Sequence, residues 1–548
     1  MPASHTSDVE TGSDYVLSAL AAEGVDHLFG LIGEGNSHLL NRTHDHDITY
    51  TYARHEQVAV SMADGYARLT GDVGVCTLTH GPGVTNGATG IVIADRNSVP
   101  LVVLIGDAGT EGRETSLQYL DHKTFTSPIS VHQTRAPTPA TVPETIRRAF
   151  DIARTERGPV IVELPTDVQS APAPESEYLP KPRSTQRPRP DVEELAEATA
   201  LLDGADHPVV LAGGGAAAAD AGDALIQFAE TIGAPIATTL FAQGVLSADH
   251  PLHTGASGTF MTPASDALLW DADVVVAAGA RLSGKTTRYG ELYADADVIQ
   301  VDIDSAALGT YRDPAVGIVG DARTTIEELA ERVTPHPDRT ERVRTVIREA
   351  GTPADVETRS DPNRIDPRAF TRALAARIPG DSIVTVDSGN NTGFPAVFHP
   401  VDAGGRLLLD GNFGTMGYAL PAALGAQVAD PQRTVVCYIG DGAFMQVIQD
   451  VETAARLSLP IVVAVLNDGS YGIIRHRQYM EFGRETASSY ESPDFVRVAE
   501  GLGAQAATIR DVDDLSAVDE FLDGDPTRPL VLDVRTIPHV SRPGFPPY

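Results

Sequence analysis

Residues 433–471, RTVVCYIGDGAFMQVIQDVETAARLSLPIVVAVLNDGSY, decide the fold. The first apolar run stops at Gly440-Asp441-Gly442. Phe444, Val447, Ile448, Val451, Ala454 and Ala455 then recur at helical spacing, and a second apolar run after Pro460 stops at Asn467. Two continuous apolar strands around an amphipathic helix form a βαβ unit, whose right-handed crossover can set the strands parallel and adjacent. Asp441 and Asn467, 26 residues apart, then stand at one carboxyl edge as two hard oxygen ligands. Glycine on either side of Asp441 lets backbone approach a ligand, and the helix start offers N–H groups to an anion. Gly440, Gly442 and Ala443 therefore join Asp441 as candidates for holding a phosphate, with Mg²⁺ as the bridging ion. The plainer alternative, Asp441 capping a helix after a tight turn, leaves Asn467 unaccounted for.

Outward from this unit, short apolar runs recur at 73–78, 101–105, 160–164, 274–278, 298–303, 383–386 and 530–534, separated mostly by helix-length stretches such as 194–202 and 223–232. The class is α/β. Two proline-rich stretches, 171–190 and 334–367, read as linkers and divide the chain into three doubly wound parallel-sheet domains at 8–170, 191–335 and 366–548.

Composition narrows the function. Against 75 Asp plus Glu stand 41 Lys plus Arg, a net charge of -34, which excludes a nucleic-acid partner for want of cations to neutralise phosphates. Lys occurs only at 123, 181 and 285, leaving 38 Arg. An acidic, Lys-poor chain with 6% aromatic residues points to a salt-adapted cytoplasm, where self-repulsion is screened within ~3 Å at 1 M salt. The unfolding midpoint is accordingly expected to rise with KCl concentration; a midpoint indifferent to KCl would mark an ordinary acidic enzyme. Cys76 and Cys437 sit in apolar runs and read as buried hydrophobes. Residues 1–10 show no apolar leader, and no apolar run approaches the ~20 residues of a membrane span.

GDG followed by Asn resembles the signature of the thiamine-diphosphate enzymes, and the likeness covers nearly the whole chain in the order pyrimidine-binding, central and diphosphate-binding domain. Acetolactate synthase is the nearest pattern, with pyruvate oxidase and benzoylformate decarboxylase also similar. The resemblance implies that Asp441, Asn467 and the Gly469 carbonyl hold Mg²⁺, although Asp468 stands where a second Asn is common. It also places Asn390 and Asn391, in DSGNNTG, near the diphosphate. In GNFGTMGYALP it implies that Met416 wedges between the cofactor rings while the Gly414 carbonyl accepts from the 4′-amino group.

RHEQ…MADGYAR carries Glu56. On the residues alone, Glu56 is a carboxylate in a first helical turn, favoured there by the helix dipole. The resemblance instead implies that it bonds the aminopyrimidine N1′ and acts as catalytic acid/base. TLTHGPGVTNGATG resembles the loop under the pyrimidine, with Pro82 and Asn86 at matching positions. His80 beside it is either a proton donor, as in benzoylformate decarboxylase, or a cap on the turn. Gln118 in LQYLD resembles the FQExD-like segment of the synthases, and Arg281 in GARLSGK matches an Arg near the substrate carboxylate. Val131 and Arg477 depart from the Lys and Trp of that pattern. The implied activity is decarboxylation of a 2-oxo acid followed by carboligation, the alternatives being simple decarboxylation and a cofactor-binding subunit without turnover. A homodimer or homotetramer follows because relatives build each site from two subunits. VVLAGGGAAAA at 209–219 allows FAD in the central domain, but the acidic residue expected about 20 positions later is missing. The sequence leaves a regulatory subunit undetermined.

Overall fold

The computed structural model describes residues 10–173, 175–182 and 187–544. Residues 8 and 9 of the first expected domain, 545–548 of the third, and parts of the first expected linker lie outside the described residues.

Three six-stranded sheets, all parallel within their ladders, follow one another along the chain. The first contains β1 (His27–Gly30), β2 (Thr49–Tyr52), β3 (Gly74–Thr79), β4 (Leu101–Asp107), β5 (His132–Arg135) and β6 (Pro159–Pro165), in the order β2-β1-β3-β4-β6-β5. The second contains β7 (Pro208–Ala212), β8 (Ile236–Thr238), β9 (His253–Ala256), β10 (Val274–Ala278), β11 (Asp297–Asp302) and β12 (Val316–Val319), in the order β12-β11-β10-β7-β8-β9. The third, β13 (Ile383–Val386), β14 (Arg406–Leu409), β15 (Val435–Gly440), β16 (Val462–Asn467), β17 (Gln505–Ile509) and β18 (Leu530–Arg535), runs β14-β13-β15-β16-β18-β17. First and third sheets thus share one topology. Central strands such as β4, β10 and β16 are buried along their length, as continuous apolar runs covered by helices on both faces require.

Residues 334–367 are more than a linker. Pro337–Ala350 is a helix, with proline at its permissive first positions and Val343 buried in the central core. Its prolines mark helix starts as much as breaks, which the composition alone does not distinguish.

The first and third sheets meet through two helices, Glu56–Thr70 and Ala419–Ala429. Small residues permit the contact: a Cβ at Gly425 would lie 2.0 Å from the Met62 carbonyl oxygen, and one at Gly65 2.5 Å from that of Ala422. Beside it, buried Asp64 accepts from the Tyr418 hydroxyl at 2.5 Å and pairs with Arg68 at 2.8 Å. Arg68 also donates to the Leu409 carbonyl at 2.9 Å. Each buried charge has a partner, so the contact tolerates burial that would otherwise be costly.

Candidate active site

In an open parallel sheet, ligands bind where neighbouring strands send their connections in opposite directions. In the third sheet that point lies between β13, which leads to β14, and β15, which leads to β16 on the other side. Asp387 follows β13 and Asp441 follows β15, with Asn467 ending β16 one strand further along.

Asp441 and Asn467 converge on one hydroxyl. Ser492 Oγ lies 3.1 Å from Asp441 Oδ2 and 2.8 Å from Asn467 Oδ1. Asn467 Nδ2 donates to Asp533 at 2.8 Å, which fixes the amide so that its oxygen faces Asp441. The Gly469 N–H donates to Asp441 Oδ2 at 3.0 Å, while the Gly469 carbonyl accepts from Tyr490 N–H at 2.9 Å and keeps a second lone pair. Burial first, then the neighbouring Asp468 carboxylate, pushes Asp441 up to about 7. Burial raises Asp468 as well, against the pull of Arg475. Crowded, desolvated carboxylates beside an amide oxygen and a backbone carbonyl make a hard donor set that fits Mg²⁺.

A cavity of about 610 Å³ opens over this edge. It brings together Asn390, Asn391, Gly414, Met416, Gly440, Asp441, Gly442, Ala443 and Arg477. Asn391 Nδ2 donates to the Asp387 carbonyl at 3.1 Å. Asn390 binds the chain's last described segment instead, through the Val540 carbonyl at 3.0 Å and the Arg542 N–H at 3.1 Å. The loop carrying Gly414 and Met416 is held by two acids. Asp387 accepts from the N–H groups of Gly417 and Ala419 at 3.1 and 2.9 Å, and Asp410 from those of Phe413 and Thr415 at 3.1 and 2.8 Å. Burial, opposed by those backbone donors, brings Asp387 to about 7.

Sequence reasoning missed Asp387, Asp410, Lys285 and Arg542. Asp387 and Asp410 follow strand ends in VDSG and LDGN, a signal that could have been used. Lys285 lines the cavity and donates to the Gly411 carbonyl at 3.2 Å, whereas Arg281 hydrogen-bonds the Ser98 hydroxyl at 3.1 Å and is not among the cavity's lining residues.

Glu56, His80, Pro82, Asn86 and Gln118 occupy the matching edge of the first sheet, and no described residue of that sheet's unit lines the cavity. Glu56 starts its helix after His55, whose Nδ1 accepts from Gln57 N–H at 3.2 Å. It is 8% exposed, and Asn86 Nδ2 donates to its carboxylate at 3.1 Å. Pro82 and Asn86 are exposed, His80 is buried, and the Gln118 carbonyl packs against Gly81.

Three doubly wound sheets, with a cavity at the switch point of the last, define an α/β enzyme whose candidate site is the carboxyl edge of that sheet. The chain belongs to the thiamine pyrophosphate enzyme family. Residues 10–130 match the model of the thiamine pyrophosphate enzyme N-terminal TPP binding domain, 195–329 that of the central domain, and 387–534 that of the C-terminal TPP binding domain. Among curated proteins, the chain is 32% identical to the probable acetolactate synthase large subunit of Methanocaldococcus jannaschii, with 98% of this chain and 93% of the relative covered. It is 34% identical to the acetolactate synthase isozyme 3 large subunit of Escherichia coli, over 90% and 88%. It is 32% identical to the large subunit of the Corynebacterium glutamicum synthase, over 95% and 86%. Among the described residues no helix is long and apolar enough to cross a membrane.

Proposed function

We propose that the chain is a cytoplasmic, thiamine-diphosphate- and Mg²⁺-dependent enzyme that decarboxylates 2-oxo acids and joins the product to a second carbonyl, in the manner of acetolactate synthase. The convergence of Asp441, which lines the cavity, and Asn467 on the Ser492 hydroxyl carries this reading. Bound there, the cofactor's thiazolium would supply the electron sink for loss of CO₂.

The chain's own residues supply the rest. Asp441, Asn467 and the Gly469 carbonyl hold the cation, while Gly440, Gly442 and Ala443 let backbone approach the diphosphate. Met416 and Gly414, on a loop braced by Asp387 and Asp410, orient the cofactor rings. Lys285 and Arg477 place positive charge at the cavity wall for the substrate carboxylate. Glu56 holds and moves a proton at the aminopyrimidine N1′. Because Glu56 lies outside this chain's cavity, a second copy would bring it there, in a homodimer or a dimer of dimers. The relatives' designation as large subunits supports testing for a smaller partner. The glycines at 213–215 are accounted for by packing, since a Cβ at Gly213 would lie 2.1 Å from the Gly279 carbonyl oxygen. The reading therefore does not require FAD, which a yellow purified protein would reveal.

Incubation with pyruvate, thiamine diphosphate and Mg²⁺ in molar KCl is expected to release CO₂ and form acetolactate. Acetaldehyde as the sole product would turn the reading to simple decarboxylation. No CO₂ from pyruvate or from a panel of other 2-oxo acids would overturn it.

A further inference from the structure

At the carboxyl edge of the first sheet, where β4 and β6 end side by side, lies a buried cluster outside the roles assigned above. His122, 0% exposed, accepts the Gly81 N–H on Nε2 at 3.1 Å. A ring nitrogen that accepts bears no proton, so in the neutral ring Nδ1 carries it. Nδ1 has no hydrogen-bond partner among the described residues and faces Asp107 Oδ1 at 3.9 Å and Glu163 Oε1 at 3.8 Å. The other oxygens of the two carboxylates belong to arginines: Arg113 lies 2.6 Å from Asp107 and 3.0 Å from Glu163, and Arg135 lies 3.5 Å and 3.8 Å from the same pair.

Asp107, His122 and Glu163 have the side-chain types and the proximity of a metal site. The charge count speaks against one, because two guanidinium groups already balance two carboxylates and a divalent cation would leave buried positive charge unopposed. What remains is a held imidazole. Burial, aided by Arg113 and His80 and opposed by Asp107 and Asp121, lowers His122 to about 4, so the ring stays neutral and Nε2 stays an acceptor near neutral pH. Burial also pushes Glu163 up to about 7, Arg113 and Arg135 pulling the other way and Asp107 adding to the rise.

The accepted amide sits at a demanding point. Gly81 has φ +61° and ψ −110°, and a Cβ there would lie 2.2 Å from the Gln118 carbonyl oxygen. Pro82 then opens the helix Pro82–Arg96, whose Asn86 grips Glu56. The turn is therefore confined by Gln118 and tied by His122.

We propose that His122, its Nδ1 turned toward the Asp107–Glu163 pair, is a positioning residue that acts through the Gly81 amide to fix the His80–Gly81–Pro82 turn and, with it, the Asn86–Glu56 pair. The functional consequence rests on the reading of Glu56 given above; the structural one does not.

The two are separated by measuring hydrogen–deuterium exchange of the 79–87 segment in cofactor-free protein alongside kcat and KM. Losing the tie in His122→Leu should raise exchange of that segment about tenfold and lower kcat by about the same factor, with KM changing far less. His122→Gln places an amide oxygen near the Nε2 position, whereas His122→Asn places one near Nδ1. Gln should therefore restore protection and kcat, and Asn should not. This contrast stands even if the leucine variant fails to fold. Equal exchange and equal kcat in the Gln and Asn variants would overturn the proposal. Altered exchange without altered kcat would keep the tie and remove its role in turnover.

Discussion

Glu56→Gln is expected to lower kcat for CO₂ release by about 10²–10⁴-fold, the range lost when a positioned acid/base is removed. The substitution is nearly isosteric, and Asn86 can still donate to the amide oxygen across the 3.1 Å it spans in the parent protein. The helix start should survive because its cap is His55 Nδ1. Only the ability to hold and pass a proton disappears. Affinity for thiamine diphosphate, measured by calorimetry with Mg²⁺ present, should therefore change far less than kcat. Unchanged turnover would show that Glu56 is merely a buried carboxylate at a helix end, the reading its sequence position also allows.

The α/β fold was legible because parallel strands buried on both faces must be written as unbroken apolar runs. The runs ending at Gly440 and Asn467 are β15 and β16, and their register leaves Asp441 and Asn467 at one edge. Glycine next to an acid after such a strand marks a place where backbone can meet a ligand, so the edge where Asp441 and Asn467 come together could be read from spacing. Other parts had no such mark. The helix Pro337–Ala350 was hidden by prolines that read as breaks but sit where helices begin. Asp410 and Asp387 brace the Met416 loop by accepting backbone N–H groups, an arrangement that requires the loop's path in space. Lys285 lies four residues beyond Arg281, and only the direction of the chain after β10 decides which of them meets the cavity. The bond between His122 and Gly81 joins residues 41 apart across two strand ends and carries no periodic signal.

Asp441→Asn is expected to weaken Mg²⁺-supported binding of thiamine diphosphate by at least about 100-fold, at or beyond the 10–100-fold typical of losing a ligand's supporting partner. The amide removes a negative charge from the donor set and presents N–H hydrogens where Ser492 and the Gly469 N–H now point at an acceptor. Excess Mg²⁺ should restore little, since the variant lacks an oxygen donor of the right charge. The same variant also tests how the two ends of the site are assembled. Glu56 and Asp441 serve different cavities of one chain if the first sheet's edge completes a neighbour's third-sheet edge. Co-expressed Glu56→Gln and Asp441→Asn chains would then form mixed dimers carrying one doubly altered site and one intact site. Random pairing makes half the dimers mixed, so about a quarter of parental activity should return, although neither variant alone is active. If each chain instead supplied both residues to its own site, every site would carry one defect and mixing would recover nothing.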